Sequence, residues 1–144
     1  MKVTLSWLKD YVNFEASTAE IAENLTMAGL EVDSIEDRYG FLENVVVSRV
    51  ISVEKHPEAD KLSCCMVDVG KDEPLPIVCG APNVRENLFV PCALVGAILP
   101  GDFVIKKSKI RGAVSQGMLC SGAELRLDTN HEGIMELNNI LSDI

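Results

Sequence analysis

Hydrophobic positions keep a helical spacing only near the start of the chain and alternate in twos through most of the remainder. Behind Ser17, with Glu20 three residues on, Ile21, Leu25 and Ala28 recur at helical intervals and Ala22 widens the apolar stripe. A serine and a glutamate at that spacing satisfy two free amides at a helix start, and Gly29 supplies a stop, so residues 17–28 are predicted to be helical. Ahead of them, Ser6 is placed to cap a short turn carrying Trp7, Leu8 and Tyr11. After Gly29 the segment LEVDSIED alternates, with Leu30, Val32 and Ile35 on one side, and reads as a strand. Elements this few bury one side each, so residues 1–40 are expected to form an incomplete α+β piece without a full core.

Past Arg38, Tyr39 and Gly40, a candidate joint, β patterning takes over. Residues 44–54 hold a long β-branched run of the kind that curls through a barrel. The turn HPEADKL leads to residues 63–69, where Cys65, Val67 and Val69 oppose Cys64, Met66 and Asp68; residues 70–76 form a solvated hairpin tip. Further strands are read at 77–79, 88–94, 97–99, 103–105, 118–120 and 134–137, with Pro82, Pro91 and Pro100 assigned to strand starts and corners. Short strands, Gly/Pro corners and no βαβ spacing point to a mainly β fold, a five-stranded Greek-key barrel of the oligonucleotide-binding (OB) type, with residues 41–144 as its domain.

Composition narrows the class. With 144 residues, 47% of them hydrophobic, the chain can bury a core without disulfides or a metal, and no apolar run is long enough to span a membrane. Five cysteines without a CxxC read as reduced thiols filling core volume, which suits the cytoplasm. The net charge of −9 is unevenly spread: three bases meet nine acids through Asn44, and ten meet thirteen afterwards. Against that background Lys106, Lys107, Lys109 and Arg111 form a run with no acid in it. If extended, Lys107, Lys109 and Arg111 share one face while Lys106, Ser108 and Ile110 take the other, and Gly112 ends the run. Two readings stand side by side: a phosphate-binding edge with hydrogen bonds from Ser115 or Ser121 and a stacking surface at Met118, or a solvated basic arm leading into a core strand.

No catalytic constellation is visible. His56 and Asp60 in HPEADKL could pair as base and orienter, but no nucleophile is tied to them; the turn is better explained by Pro57 setting it and Asp60 capping a short helical step, with Lys61 an exposed phosphate contact. His131 is far from His56, so no metal site is expected. GAPNVREN lacks the spacing of a nucleotide-binding glycine loop; Gly80 and Asn83 shape a corner and Arg85 reaches solvent or a phosphate. Glu124 is placed to cap at Ser121.

The ordered series KVTLSWLKDYV, HPEADKL, CMVDVG, IVCGAPNVRE, VPCALVGAILPG, IKKSKIRGAVSQGMLCSGAEL and EGIMEL closely resembles the N-terminal region of the bacterial phenylalanyl-tRNA synthetase beta subunit family. The resemblance covers essentially the whole chain, and GMLCS after KIRG is its most specific part. It implies a noncatalytic tRNA-binding region of an α2β2 enzyme that joins phenylalanine to tRNA-Phe with ATP and Mg²⁺, neither of them bound by this chain. It also implies an OB domain inserted in a split first domain, of which residues 1–40 are one part and whose other part is expected after residue 144. Partners implied are tRNA, the alpha subunit and the rest of the beta chain. The nucleic-acid surface carried over comprises Lys61, Asn83, Arg85, Lys107, Lys109 and Arg111, with Ser115, Met118 and Ser121 as a serine and methionine edge. One departure is Arg126, where the family commonly has glycine after GAEL. The acidic total leaves an alternative: a structural or assembly module of the heterotetramer with little tRNA affinity of its own.

Overall fold

The computed structural model describes residues 1–141. The chain forms two compact units, Met1–Arg38 and Tyr39–Ile144.

In the first unit, α1 (Leu5–Lys9) is capped by Thr4, whose Oγ1 accepts the Trp7 amide at 3.2 Å; the expected cap, Ser6, lies inside the helix. Helix α2 (Thr18–Met27) begins with the anticipated reciprocal cap between Ser17 and Glu20, and Gly29 follows at φ 94°. Residues 30–37, read as a strand, form none. Alternation supplies one face but not a ladder partner, and this unit has no other strand; Leu30 and Ile35 stay more than half exposed. No residue of the unit is buried.

The second unit holds the core. Strands β1 (Val45–Lys55), β2 (Ser63–Asp68), β3 (Leu75–Cys79), β4 (Phe89–Leu94) and β9 (Gly117–Leu119) form an antiparallel sheet in the order β3-β2-β1-β4-β9. Its two edges approach each other: Gln116 N–H donates to Pro76 O at 2.8 Å, and Val78 N–H donates to Ser115 Oγ at 3.1 Å. The result is a nearly closed five-stranded barrel of the OB type. Two ribbons, β5 (Ile98–Leu99) with β6 (Phe103–Val104) and β7 (Ser108–Ile110) with β8 (Ala113–Ser115), fill the connection between β4 and β9.

Strand β1 bends because its register against β2 slips between Val50 and Ser52, leaving Ile51 as an extra residue. Ser48 and Val50 face inward before the slip, and Val53 packs on the core after it. Alternation in β2 places Cys65, Val67 and the following Val69 inside, as anticipated. One core cluster gathers Val50, Val67, Ile77, Leu88, Val90 and Leu119; another gathers Ala93, Ala97, Leu99, Ile105, Cys120 and Leu125. All five cysteines are free thiols and all but Cys64 are buried; burial pushes Cys65 and Cys120 up to about 12 and Cys92 to about 11, so they fill space rather than react.

Pro91 is not at a corner but inside β4. Its carbonyl accepts the Cys120 amide, so its backbone polar side faces β9 just past the end of that ladder, while β4 pairs with β1 from Phe89 to Ala93 on its other side. Residues 134–137 are not a strand, although Met135 and Leu137 donate their amides to Cys120 O and Phe89 O. A short helix, α3 (Asn138–Leu141), comes next; the final residues of the NNILSDI tail, 142–144, lie outside the described residues. Among the described residues no helix is long and apolar enough to cross a membrane.

Candidate nucleic-acid interface

The β1–β2 turn and the β7–β8 hairpin meet at one rim of the barrel. His56 opens the turn, buried to 2% exposure, and its amide donates to Leu62 O at 3.0 Å while Leu62 N–H donates to Ala59 O. The ring bridges two elements: Nδ1 accepts the Glu58 amide at 3.0 Å, and Nε2 donates to Ile110 O at 2.9 Å. That arrangement leaves no catalytic use for His56. Asp60 neither orients the ring nor caps; its carboxylate meets Lys55 at 3.2 Å. Lys61 stands exposed in the same turn.

The hairpin pairs Ser108 with Ser115, Lys109 with Val114 and Ile110 with Ala113. Its tip is Arg111 at φ 47° and Gly112 at φ 87°, a left-handed pair whose twist suits a two-residue hairpin. The expected face of three cations is therefore a pair. Lys107 and Lys109 are exposed on the side away from Lys106, Ser108 and Ile110, whereas Arg111 sits in the turn and donates from Nη1 to Glu58 O at 3.2 Å. A left-handed residue cannot continue the strand's alternation.

Lys106, Ser108 and Ile110 line a groove of about 540 Å³ whose floor includes Met118. Gly80 to Pro82 and His131 to Gly133 also line it, as do Glu124 and Glu132. Lys106 is thus a groove cation that the reading of the basic face passed over, although the same alternation had set it opposite Lys107. No carboxylate among the described residues pairs with Lys61, Lys106, Lys107 or Lys109.

The remaining expected contacts are engaged within the protein. Ser115 is buried; its Oγ accepts from Val78 N–H and donates to Gly117 O at 3.1 Å, pinning the barrel shut. Ser121 and Glu124 form the anticipated cap, with Ser121 N–H donating to Oε2 at 2.7 Å and Glu124 N–H donating to Ser121 Oγ at 3.2 Å. Asn83 brackets Ile134 with its side-chain amide, accepting its N–H at 3.0 Å and donating to its carbonyl at 2.9 Å. Arg85 grips Glu136 with two bonds of 2.7 and 2.8 Å, and that guanidinium, aided by Asn83, holds the Glu136 carboxyl down to about 2. These partners lie some fifty residues away, where no local motif announces them. Among the described residues no three His, Cys, Asp or Glu side chains gather as a metal site.

An OB barrel with exposed lysines on the rim formed by its first turn and its long fourth connection is the architecture of a nucleic-acid-binding module. Residues 45–141 match the family described as "Putative tRNA binding domain", and the chain belongs to that family. Over 95% of its length it is 56% identical to the phenylalanine--tRNA ligase beta subunit of Coxiella burnetii, and over 95% it is 58% identical to that of Desulfotalea psychrophila. The chain spans 17% of the length of each. A solved MetRS related protein from Pyrococcus horikoshii shares the fold, with a TM-score of 0.51 over 73% of this chain and 90% of that one at 22% identity.

Proposed function

We propose that this chain is the noncatalytic tRNA-binding region of a cytoplasmic phenylalanyl-tRNA synthetase beta subunit and contributes to holding tRNA-Phe during aminoacylation. The observation that carries the reading is the set of lysines at 61, 106, 107 and 109, exposed and without carboxylate partners among the described residues, on an otherwise acidic molecule. Lys61, Lys107 and Lys109 take phosphates, while Lys106 and Met118 serve the groove. Asn83, Arg85, Ser115 and Ser121 shape the surface instead of touching RNA, and Arg111, held at Nη1 by Glu58 O, still presents its charge at the hairpin tip. The relatives' name, a ligase beta subunit, fits a larger enzyme, which in this reading is an α2β2 tetramer whose alpha subunit carries the reaction. In this reading ATP and Mg²⁺ are bound by the rest of that enzyme. Residues 1–40 then form one part of a split domain, which accounts for a first unit with no buried residue.

A titration of tRNA at low and physiological salt, with a DNA duplex as control, tests the reading. Binding that weakens with salt and prefers tRNA supports it; equal or absent binding at low salt overturns it. The second reading, an assembly module, is favoured by Val95, Ile98, Phe103 and Val104, about half exposed around the β5–β6 ribbon. It predicts no measurable tRNA affinity.

A further inference from the structure

We infer that His56 is a positioning residue for RNA: it ties the β7–β8 hairpin to the β1–β2 turn, so that Lys107 and Lys109 are presented on one preformed rim with Lys61. The inference rests on the reading of that rim as the RNA contact.

The chemistry of the two bonds leaves one arrangement of the ring. A main-chain amide can only donate and a carbonyl can only accept, so Nδ1 takes the Glu58 N–H while Nε2 carries the proton given to Ile110 O. A neutral imidazole accepts at one edge and donates at the other, which a lysine or an alkyl side chain at this position cannot do. The hairpin depends on such a tie. Its strands have three residues each; Ser115 anchors its base to β3 through the Val78 amide, while its far end, around Ile110, is held by the bonds to His56 and from Arg111, and a two-stranded ribbon free at one end is marginal in water. Arg111 reinforces the tie by donating to Glu58 O, the carbonyl of the residue whose amide His56 holds. Glu58 is therefore gripped from both sides, and the tip of the hairpin is fixed where its last strand residue, Ile110, meets the turn.

His56 itself is buried, so RNA does not reach it. Its influence passes through the hairpin and the turn that it joins. A cation held in place before the encounter loses less freedom on binding than one on a swinging arm. Untying the ring should weaken phosphate contacts made by residues that are still present and still charged.

The test is a tRNA transcript titrated against the 144-residue chain over a series of salt concentrations, for the parent, His56→Ala and His56→Gln, with amide hydrogen exchange across residues 107–115 followed in the same proteins. Glutamine keeps an amide donor toward Ile110 O. In His56→Ala the hairpin amides should exchange faster, affinity at fixed salt should fall about tenfold, and the slope of log affinity against log salt should shrink by about one to two. A neutral replacement changes that slope only if it releases cations from phosphates, which a residue that merely stabilises the barrel would not do. His56→Gln should recover hairpin protection and slope together. Faster hairpin exchange with parental affinity and slope overturns the positioning role and leaves the RNA reading intact. So does parental exchange in a folded His56→Ala protein. Should His56→Ala fail to fold, His56→Gln decides: protection with a parental slope supports the role, and protection with a reduced slope overturns it. Absence of tRNA binding by the parent overturns the reading and the role with it.

Discussion

Arg85 and Lys109 belong to the same barrel, and both are exposed cations, yet their surroundings are opposite. The Arg85 corner is closed on itself. Glu136 takes both guanidinium bonds, Asn83 brackets Ile134, and a Cβ at Gly133 would run into the Asn83 amide, so this corner fastens the returning chain to the barrel wall. Lys107 and Lys109 have no such partner among the described residues, and the hairpin they belong to is held through its main chain. A cation whose field is already spent on a carboxylate has little left for a phosphate, whereas one fixed by its backbone keeps its whole charge for a ligand. The comparison teaches that charge type alone does not mark an interface; what the charge is already bonded to decides.

The largest effect expected from breaking this comparison is on stability. Asn83→Ala removes the bracket on Ile134 and should cost about 2 kcal/mol by denaturant unfolding, with the salt slope of tRNA binding at the parental value. A reduced slope would make the corner an interface after all. Next comes Lys107→Ala with Lys109→Ala, which should lower tRNA affinity about tenfold and shrink the salt slope by about two without moving the melting temperature. Unchanged binding would remove the arm from the interface. Smaller is the acid response of the closed corner. The folded Glu136 carboxyl titrates near 2 against an ordinary 4.5, so its ionised form favours folding above 4.5, and that contribution fades as pH falls toward 2. The melting-temperature advantage of the parent over Glu136→Gln should therefore be full at neutral pH and shrink across that acidic window. Since the pair is exposed, the advantage should also shrink with salt. The smallest effect concerns Arg126, at φ 49° in the turn after Leu125. Arg126→Gly should stabilise by about 0.5 kcal/mol, because glycine adopts that conformation without strain.

Local chemistry was readable from the chain wherever a few neighbouring residues suffice to settle it. Ser17 with Glu20, Ser121 with Glu124 and the alternation of Cys65, Val67 and Val69 each follow from spacing, and the barrel class follows from repeated short strands. What escaped depends on distant partners. LEVDSIED alternates like a strand but has nothing to pair with; Asn83 and Arg85 look available until residues 134 and 136 arrive from the far end of the chain. Arg111 misled for another reason. Left-handed hairpin tips favour glycine, asparagine or aspartate, so an arginine there reads as the last residue of a strand when it is the first of a turn. The resemblance, which led to the expectation of a glycine at 126, was the better signal there, since the backbone takes a left-handed shape with arginine in place.

The surplus residue at Ile51 makes β1 two rulers with different zero points. Counting by twos from Val46 names the inward side chains correctly as far as Val50 and then names the wrong ones, because Val53, not Ser52, is the next apolar residue on the core. Deleting Ile51 would restore an unbroken count. Val53 would stay opposite Cys65 on the core face, but the bend that the bulge puts into β1 would be lost and the His56 turn carried out of line, so the placing of the distant hairpin is tied to that one residue.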